Sequence, residues 1–584
     1  MHIAIIDNDK CHFKKCRQEC QYYCPPVRNG TMTVEFGEDG YPVIHEDICL
    51  GCGICAHRCP YQAIKIIGLP ERQVGKEVHR YGENGFALYG IPSMEVKGVI
   101  GILGQNGTGK TTILNILTGN LIPNFARENT SKDEVVKKYK GTYLGKYLED
   151  IYSGKSKISL KPQYVDLIPK YYSGTVQQLL SQYGEGVIEI LEKLGMAGIE
   201  NQDIKVLSGG ELQSVAIAAA LLKEADVYFF DEPSSYLDIS QRLRVASIIR
   251  ELAQRKKVII VEHDLAILDF ITDNIYLTYG ESRAYGIVSN AYSTRQAINT
   301  YLEGFIKQEN VKFRDYQIKF VKKPPEIDQS IAPLISWEEM HKGFEKFSLK
   351  VNPGALRHGQ VVGVIGPNGT GKSTFVKMMA GEMKPDDYEF NMSLKTSYKP
   401  QSPPSEFNET VLEFLEREIG DRAGENDFKN EIMRPLNLET IGENLVSELS
   451  GGDLQKVHIA KTLGKPADLY VLDEPSAYLD SDQRMIVARM LKRFTENNKK
   501  TALVVDHDIY FIDLIATSLM VFNGERGKWG ETYGPMNMKD GMNLFLKNIN
   551  LTFRRDENTL RPRINKPDSR MDLEQKKAGE YYYY

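Results

Sequence analysis

The sequence predicts an α/β protein: a small cysteine-rich module followed by two copies of a phosphate-loop domain. Three observations carry this. All 8 cysteines lie within the first 59 of 584 residues. A GxxxxGK[ST] phosphate loop occurs twice, as GQNGTGKT at 104–111 and GPNGTGKS at 366–373. Behind each loop a string of short motifs recurs at a nearly constant offset. The length suits three or four domains of ~150 residues each. With 41% hydrophobic and 26% charged residues the composition is that of an ordinary globular chain. No apolar run approaches the ~20 residues of a membrane helix. The start, MHIAIIDNDKCH, has no basic stretch leading into an apolar core, so a secretory signal is not expected. A cytoplasmic protein without membrane contact is the expectation. The balance of 73 basic and 78 acidic residues excludes a chain that is basic throughout, but leaves room for a local basic patch.

The N-terminal element is read from its cysteines. Cys11, Cys16, Cys20 and Cys24 are spaced C-x4-C-x3-C-x3-C. Cys49, Cys52, Cys55 and Cys59 are spaced C-x2-C-x2-C-x3-C and precede Pro60. The second group resembles the bacterial ferredoxin run, in which three thiolates hold one [4Fe–4S] cluster and the fourth reaches a second. That resemblance implies one cluster on Cys24, Cys49, Cys52 and Cys55, and another on Cys11, Cys16, Cys20 and Cys59. Gly51 and Gly53 give the loop backbone freedom. Disulfides are disfavoured in a reducing compartment. Zinc sites more often show two separated CxxC pairs.

The two phosphate loops each follow an apolar, strand-like stretch (VKGVIGIL and QVVGVI) and precede a helix-like run. Gly104, Gly107 and Gly109, and Gly366, Gly369 and Gly371, let backbone N–H groups curl around phosphates, beside Asn106 and Asn368. Lys110 and Lys372 would neutralise the β- and γ-phosphates. Thr111 and Ser373 would ligate Mg²⁺, with Thr112 and Thr374 next in the nucleotide-binding set. LSGGELQ at 207–213 returns as LSGGDLQ at 449–455, VYFFDEP as LYVLDEP, SSYLD as SAYLD, VEHD as VDHD, and KPQ at 161–163 as KPQ at 399–401. The offset is 242 from Ser208 to Ser450 and from Asp231 to Asp473, and 244 from His263 to His507. A tandem duplication follows.

This set of motifs resembles the nucleotide-binding domains of ABC ATPases over nearly all of 75–530. An apolar strand ending in Asp-Glu would place Asp231 and Asp473 near Mg²⁺. It would set Glu232 and Glu474 beside the γ-phosphate, where a carboxylate can polarise the attacking water. His263 and His507, each at the end of an apolar strand, would contact the same phosphate. The resemblance implies that Gln163 and Gln401 sense Mg²⁺ and the water. It also implies that each ATP site is shared: Lys110 would meet Ser450 and Gly452, and Lys372 would meet Ser208 and Gly210. Adenine needs a stacking aromatic, for which Tyr81 and Phe86 are candidates before the first loop, and Phe344 and Phe347 before the second.

The order of parts narrows the family. A double-cluster ferredoxin-like module ahead of twin ABC domains resembles the RNase L inhibitor family of ribosome recycling factors. The expected architecture is therefore a ferredoxin-like iron–sulfur domain at 1–74, a first ABC domain at 75–306, a hinge linker at 307–330, a second ABC domain at 331–530 and a C-terminal hinge segment at 531–584. The first copy spans 59 positions from Gly104 to Gln163, the second only 35 from Gly366 to Gln401. The extra residues fall near 126–157, where apolar Val135, Leu144, Leu148 and Ile151 suggest helices; the resemblance implies a helix–loop–helix that touches the small ribosomal subunit. Residues 547–577 hold 9 basic and 5 acidic side chains, and Lys547, Arg554, Arg555, Arg561 and Arg563 are candidates to neutralise rRNA phosphates. Lys322, Lys323, Pro324 and Pro325 mark a semi-rigid linker. The resemblance implies an ATPase that uses ATP, Mg²⁺ and two [4Fe–4S] clusters and that splits ribosomes after termination or stalling. Its implied partners are the small subunit with its rRNA, a release factor and translation initiation factors. A monomer with intramolecular domain pairing is expected, from an archaeal source. The rival readings are a transporter's ATPase subunit, an ATP-driven iron–sulfur redox protein, and a twin-domain translation factor of the ABC-F type, which would lack the cysteines.

Overall fold

A computed structural model describes residues 2–68, 76–96, 98–127, 129–321, 330–387 and 394–582. The linker residues Lys322, Lys323, Pro324 and Pro325 lie outside the described residues, as do the first domain boundary at 74/75 and the tyrosines at 583 and 584.

The N-terminal module rests on two small antiparallel pairs, His2–Ile6 with Ile64–Gly68 and Val34–Phe36 with Pro42–Ile44. Its core holds little beyond Ala4, Ile6, Val34, Ile44 and Ile64, with Cys20, Cys24 and Cys55 packed among them. A core this small needs staples to hold a fold.

Each of the next two units is an eight-stranded sheet with the same strand order. In the first unit the five strands counted inward from one edge are Ile158–Lys161, Val227–Asp231, Lys257–Val261, Val99–Gly104 and Asn274–Glu281, all parallel. Strand segments VIGILG and VYFFD are buried at every position. Apolar runs without alternation belong to strands covered on both faces, as parallel strands are. In the second unit Thr396–Lys399, Leu469–Asp473, Thr501–Val505, Val361–Ile365 and Ser518–Glu525 repeat the order. Three strands of each sheet end side by side, and from their carboxyl ends come the phosphate loop, the Asp-Glu pair and the histidine. Ligand sites of open α/β sheets form at such ends.

The extra stretch of the first unit contains two helices, Lys132–Lys138 and Tyr143–Tyr152. Ser131 and Glu134 form a reciprocal capping box at the start of the first helix. Val135, Leu144 and Leu148 turn inward onto the first unit's core, and the Tyr147 hydroxyl donates to the Leu117 carbonyl at 2.7 Å. Lys132, Lys137, Lys138, Lys140 and Lys146 face outward.

Two sequence expectations are corrected. The boundary at 530/531 falls inside strand Trp529–Asn537, which pairs with Ser518–Glu525, so the second sheet runs past it. The helix that follows, Met538–Asn548, buries Met542 and Phe545 with Leu519 and Val521 in one hydrophobic core. The second correction concerns the basic tail, which is not a free cationic face. Arg561 is fully buried, donating to Asp269 Oδ2 at 2.8 Å and to the Tyr510 hydroxyl at 2.7 Å. Arg563 also grips Asp269, and Arg555 makes a two-pronged pair with Asp513. A run of charges carries no record of its acids, and Asp269 lies 292 positions before Arg561. Lys547 remains exposed. Tyr582 is buried and its hydroxyl donates to Asp513 Oδ1 at 2.9 Å, which gives one residue of the tyrosine run a packing role. Among the described residues no helix is long and apolar enough to cross a membrane.

Candidate functional site

The Lys110–Leu117 and Lys372–Met379 helices open without a side-chain cap, on Gly109 and Gly371 in the left-handed conformation (φ +91° and +92°). Their first N–H groups are therefore available to an anion. Space also demands glycine here. A Cβ on Gly109 would stand 2.8 Å from Phe86 Cζ, and one on Gly371 2.9 Å from Phe347 Cζ. Phe86 and Phe347 thus pack beneath the loops. The freely exposed rings are Tyr81, whose hydroxyl lies 3.4 Å from Thr112 Oγ1, and Phe344. Of the paired aromatic candidates, Tyr81 and Phe344 have a face to offer adenine. Lys110 folds back on its loop, with Nζ donating to Gly104 O at 2.9 Å and Gln105 O at 2.8 Å. Lys372 does the same with Gly366 O at 2.9 Å and Pro367 O at 2.7 Å. Burial pushes both ammonium groups down, opposed by carboxylates nearby.

The carboxylates gather at the ends of the neighbouring strands. Burial, then Glu232, pushes Asp231 up to about 7. Burial, then Glu474, pushes Asp473 up to about 6, against the Ser373 hydroxyl, Lys399 and Lys372. Both oxygens of Asp473 are buried without a hydrogen-bond partner. An orphaned buried carboxylate beside a phosphate-loop serine fits a divalent cation. Glu232 and Glu474 adopt positive φ (+46° and +48°), strained for a residue with a side chain. Gln163 Nε2 donates to Glu232 Oε1 at 2.6 Å, and Gln401 Nε2 to Glu474 Oε1 at 2.8 Å. His263 Nε2 and His507 Nε2 each stand 3.5 Å from the same oxygen of their glutamate. Burial pushes His263 far down, so it is neutral. The structure therefore brings glutamine, glutamate and histidine together in both copies.

The halves meet head to tail. Asp238 Oδ2 accepts from the Asn368 N–H, and Asp480 Oδ2 from the Asn106 N–H, both at 2.8 Å. Each of these aspartates also caps the helix that follows it. The rings of Tyr236 and Tyr478 meet at 6.3 Å, and the Ser481 hydroxyl donates to the His263 carbonyl at 2.6 Å. Arg526, packed on Gly369, donates to Ser208 Oγ at 3.3 Å and pairs with Glu211 at 3.2 Å. Ser208 and Gly210 thus lie on the side of the phosphate loop of the second copy. Ser450 and Gly452 lie at the start of the Gly451–Gly464 helix, where Asp453 senses the charge of Arg283, the residue hydrogen-bonded to Gly107. The two signature turns differ. Glu211 closes a full capping box on Ser208, whereas the shorter Asp453 bonds the Ser450 hydroxyl and Lys456.

Sequence reasoning passed over Asp238 and Asp480, although SSYLD and SAYLD repeat in register. It also passed over Lys161 and Lys399 of the KPQ repeats. Both lysines are fully buried, and burial pushes both down to about 8.

In the N-terminal module none of the eight cysteines forms a disulfide. Cys11, Cys16, Cys20 and Cys59 line one cavity. Burial pushes Cys20 up to about 12, with Cys59, Cys16 and Cys11 adding to it. Burial pushes Cys55 up to about 11, with Cys49, Cys52 and Cys24 adding to it. The thiols thus influence one another in two groups of four, Cys11, Cys16, Cys20 and Cys59, and Cys24, Cys49, Cys52 and Cys55. Among the described residues no three His, Cys, Asp or Glu converge on a point suited to a single metal ion. Four thiols around a cavity suit a larger iron–sulfur group. The module is pinned to the first sheet. Asn84 is buried between Tyr81 and Phe86 in sequence, donating to Ala4 O and Ile44 O and accepting from the Ile44 N–H at 2.7 Å. Arg80 pairs with Glu46, with Nη1 to Oε2 at 2.9 Å.

Comparison with known proteins agrees with this layout. The ABC transporter family matches residues 93–235 and 349–477. A possible Fer4-like domain in RNase L inhibitor matches 1–31, and a 4Fe-4S binding domain matches 42–65. An uncharacterized ABC transporter ATP-binding protein of Methanocaldococcus jannaschii is 48% identical over 592 residues, covering 100% of this chain and 98% of the relative. Translation initiation factor RLI1 of Saccharomyces cerevisiae is 41% identical over 595 residues, with 100% and 98% covered. Among solved structures, a model of ribosome-bound archaeal Pelota and ABCE1 matches with a TM-score of 0.93 at 47% identity, covering 100% of this chain and 99% of that one. A complex of an archaeal ribosomal stalk protein with an archaeal ribosome recycling factor matches with a TM-score of 0.83 at 48% identity, covering 87% and 99%.

Proposed function

The chain belongs to the RNase L inhibitor family of twin-domain ABC ATPases, and from that premise we propose that it splits ribosomes into subunits after termination or stalling and then stays on the small subunit. The observation that carries the proposal is the docking of the cysteine module onto the Tyr81–Phe86 turn. A module pinned by Asn84 and by the Arg80–Glu46 pair moves with the edge of the first ATPase domain. Closing and opening of the two halves then becomes a displacement of the module against whatever occupies the space between the subunits.

At each site the phosphate-loop amides and Lys110 or Lys372 hold the phosphates, and Ser450 with Gly452, or Ser208 with Gly210, complete the cradle from the opposite half. Thr111, Gln163 and Asp231, and Ser373, Gln401 and Asp473, are the groups to hold Mg²⁺, which when bound supplies charge neutralisation between phosphate oxygens. Glu232 and Glu474 orient and polarise the attacking water, and His263 and His507, 3.5 Å from them, steady those carboxylates. Hydrolysis removes the γ-phosphate that both halves grip, and the halves part. Two [4Fe–4S] clusters, on Cys24, Cys49, Cys52 and Cys55 and on Cys11, Cys16, Cys20 and Cys59, supply rigidity to a module whose apolar core is small.

The proposed partners are a release factor against the module, and the small subunit with its rRNA against the lysines of the inserted helix pair. Translation initiation factors are further candidates, given the names of the fungal relatives. Sedimentation with small subunits in a non-hydrolysable ATP analogue tests the reading. Nucleotide-dependent co-sedimentation is expected, and its absence removes the proposal. A second arm measures ATP-dependent splitting by Cys24→Ser protein lacking one cluster, where undiminished splitting would sink the lever.

A further inference from the structure

The two glutamates that face the γ-phosphate position are each held at both ends. At the side chain the hold is the Gln163 or Gln401 amide already described. At the backbone, Lys161 Nζ donates to the Asp231 carbonyl at 2.8 Å and to the Glu232 carbonyl at 3.1 Å. Gln213 Nε2 donates to that same Glu232 carbonyl at 2.7 Å. The second copy repeats this. Lys399 Nζ reaches the Asp473 carbonyl at 2.8 Å and the Glu474 carbonyl at 3.5 Å, and Gln455 Nε2 the Glu474 carbonyl at 2.6 Å. All four donors are fully buried. Burying a lysine is costly, and packing alone would be served by an apolar side chain. The carbonyl they hold belongs to a residue at positive φ, a conformation that persists only where its surroundings over-determine it.

We infer that Lys161 with Gln213, and Lys399 with Gln455, are positioning residues for hydrolysis: they clamp the peptide of Glu232 and Glu474 so that the carboxylate stays aimed at the attacking water. The inference rests on reading both glutamates as the water-polarising groups. Strand geometry supports it. Lys161 and Gln163 are two positions apart at the end of strand Ile158–Lys161, so one short segment grips the glutamate's carbonyl and its carboxylate together. Gln213 and Gln455 add a second link. They sit on the helices Gly209–Leu222 and Gly451–Gly464, whose first turns face the opposite half. A shift of either signature helix therefore reaches its own half's glutamate directly.

The test uses the full-length, cluster-loaded protein with both copies changed together. Lys161→Met with Lys399→Met forms one pair, and Gln213→Met with Gln455→Met the other. Each is measured alone and combined with Glu232→Gln and Glu474→Gln, by single-turnover ATP hydrolysis. The expected result is a roughly 10- to 100-fold fall in kcat, with KM for ATP within about twofold of the parent and no further fall on the glutamine background. The glutamine pair removes a donor to the same carbonyl without removing a charge, so it decides the matter if the lysine pair does not fold. Unchanged kcat, a KM that rises as kcat falls, or losses that multiply on the glutamine background would each overturn the clamp. Undiminished turnover by Glu232→Gln with Glu474→Gln alone would instead overturn the reading of the glutamates, a failure distinct from that of the clamp.

Discussion

Glu232 and Glu474 share their glutamine and histidine contacts to within a few tenths of an ångström, and Glu232 also accepts from the Ser235 hydroxyl at 3.2 Å, where the second copy has Ala477. Replacing Glu474 with glutamine keeps the hydrogen bonding and removes the charge that polarises water. Hydrolysis at that site is expected to fall by ~10²-fold or more, with ATP still bound. Single-turnover hydrolysis beside equilibrium nucleotide binding checks this. Farther from the chemistry, His458 is buried, and burial, then Lys461, pushes it down to about 4. A histidine depressed in the folded chain stays neutral while its unfolded counterpart takes up a proton. Its contribution is therefore complete above pH ~6.5 and drains away as pH falls toward 4. The loss amounts to at most about 3 kcal/mol. His458→Gln should flatten the dependence of the unfolding midpoint on pH across that window; an unchanged slope would assign it to other groups.

At the level of elements, the docking turn and the signature helices are the places to intervene. Asn84→Ala leaves the carbonyls of Ala4 and Ile44 and the Ile44 N–H buried without partners, at a cost of roughly 2–3 kcal/mol. Iron–sulfur absorbance followed during heating should then fade before the ATPase domains unfold, where the parent loses both together. Asp453→Glu restores the reach of a full capping box and should raise the stability of the second domain by about 0.5 kcal/mol, read as a higher unfolding midpoint. How much of this was legible beforehand depends on the kind of signal. Strand segments such as VYFFD announce a doubly covered sheet through composition alone, and the unequal loop-to-glutamine spacing located the inserted stretch. The two cysteine runs were readable as an iron–sulfur module because the C-x2-C-x2-C-x3-C spacing is local. Lys161 and Lys399 were not, since nothing in a KPQ triplet says that the lysine points under a strained peptide. Arg555, Arg561 and Arg563 misled for the converse reason: their acids are remote in sequence.

On the scale of the whole molecule, the joint between the halves is a lattice of buried charge. Arg314, in the chain between the two domains, donates to Asp482 at 2.7 Å, and Asp482 also accepts from Gln105 beside the first phosphate loop. Asp269 receives both Arg561 and Arg563. Removing its charge leaves the buried Arg561 without its carboxylate, while Arg563 keeps Asp556 Oδ2 at 3.6 Å; a buried cation left in this way costs about 3–5 kcal/mol. Asp269→Asn is therefore expected to lower the unfolding midpoint and loosen the joint. X-ray scattering in solution without nucleotide should report a larger radius of gyration; an unchanged radius would mean that the joint is held by its apolar contacts. The order in which a chain is made gives this joint a further property. Domains emerge and fold from the N-terminal side first, so the iron–sulfur module and the first ATPase domain can be complete while Asp269 still lacks its arginines, which follow 292 and 294 positions later. The pivot is thus assembled after the parts it joins, and a nascent chain holds a folded first domain with no bearing to turn against.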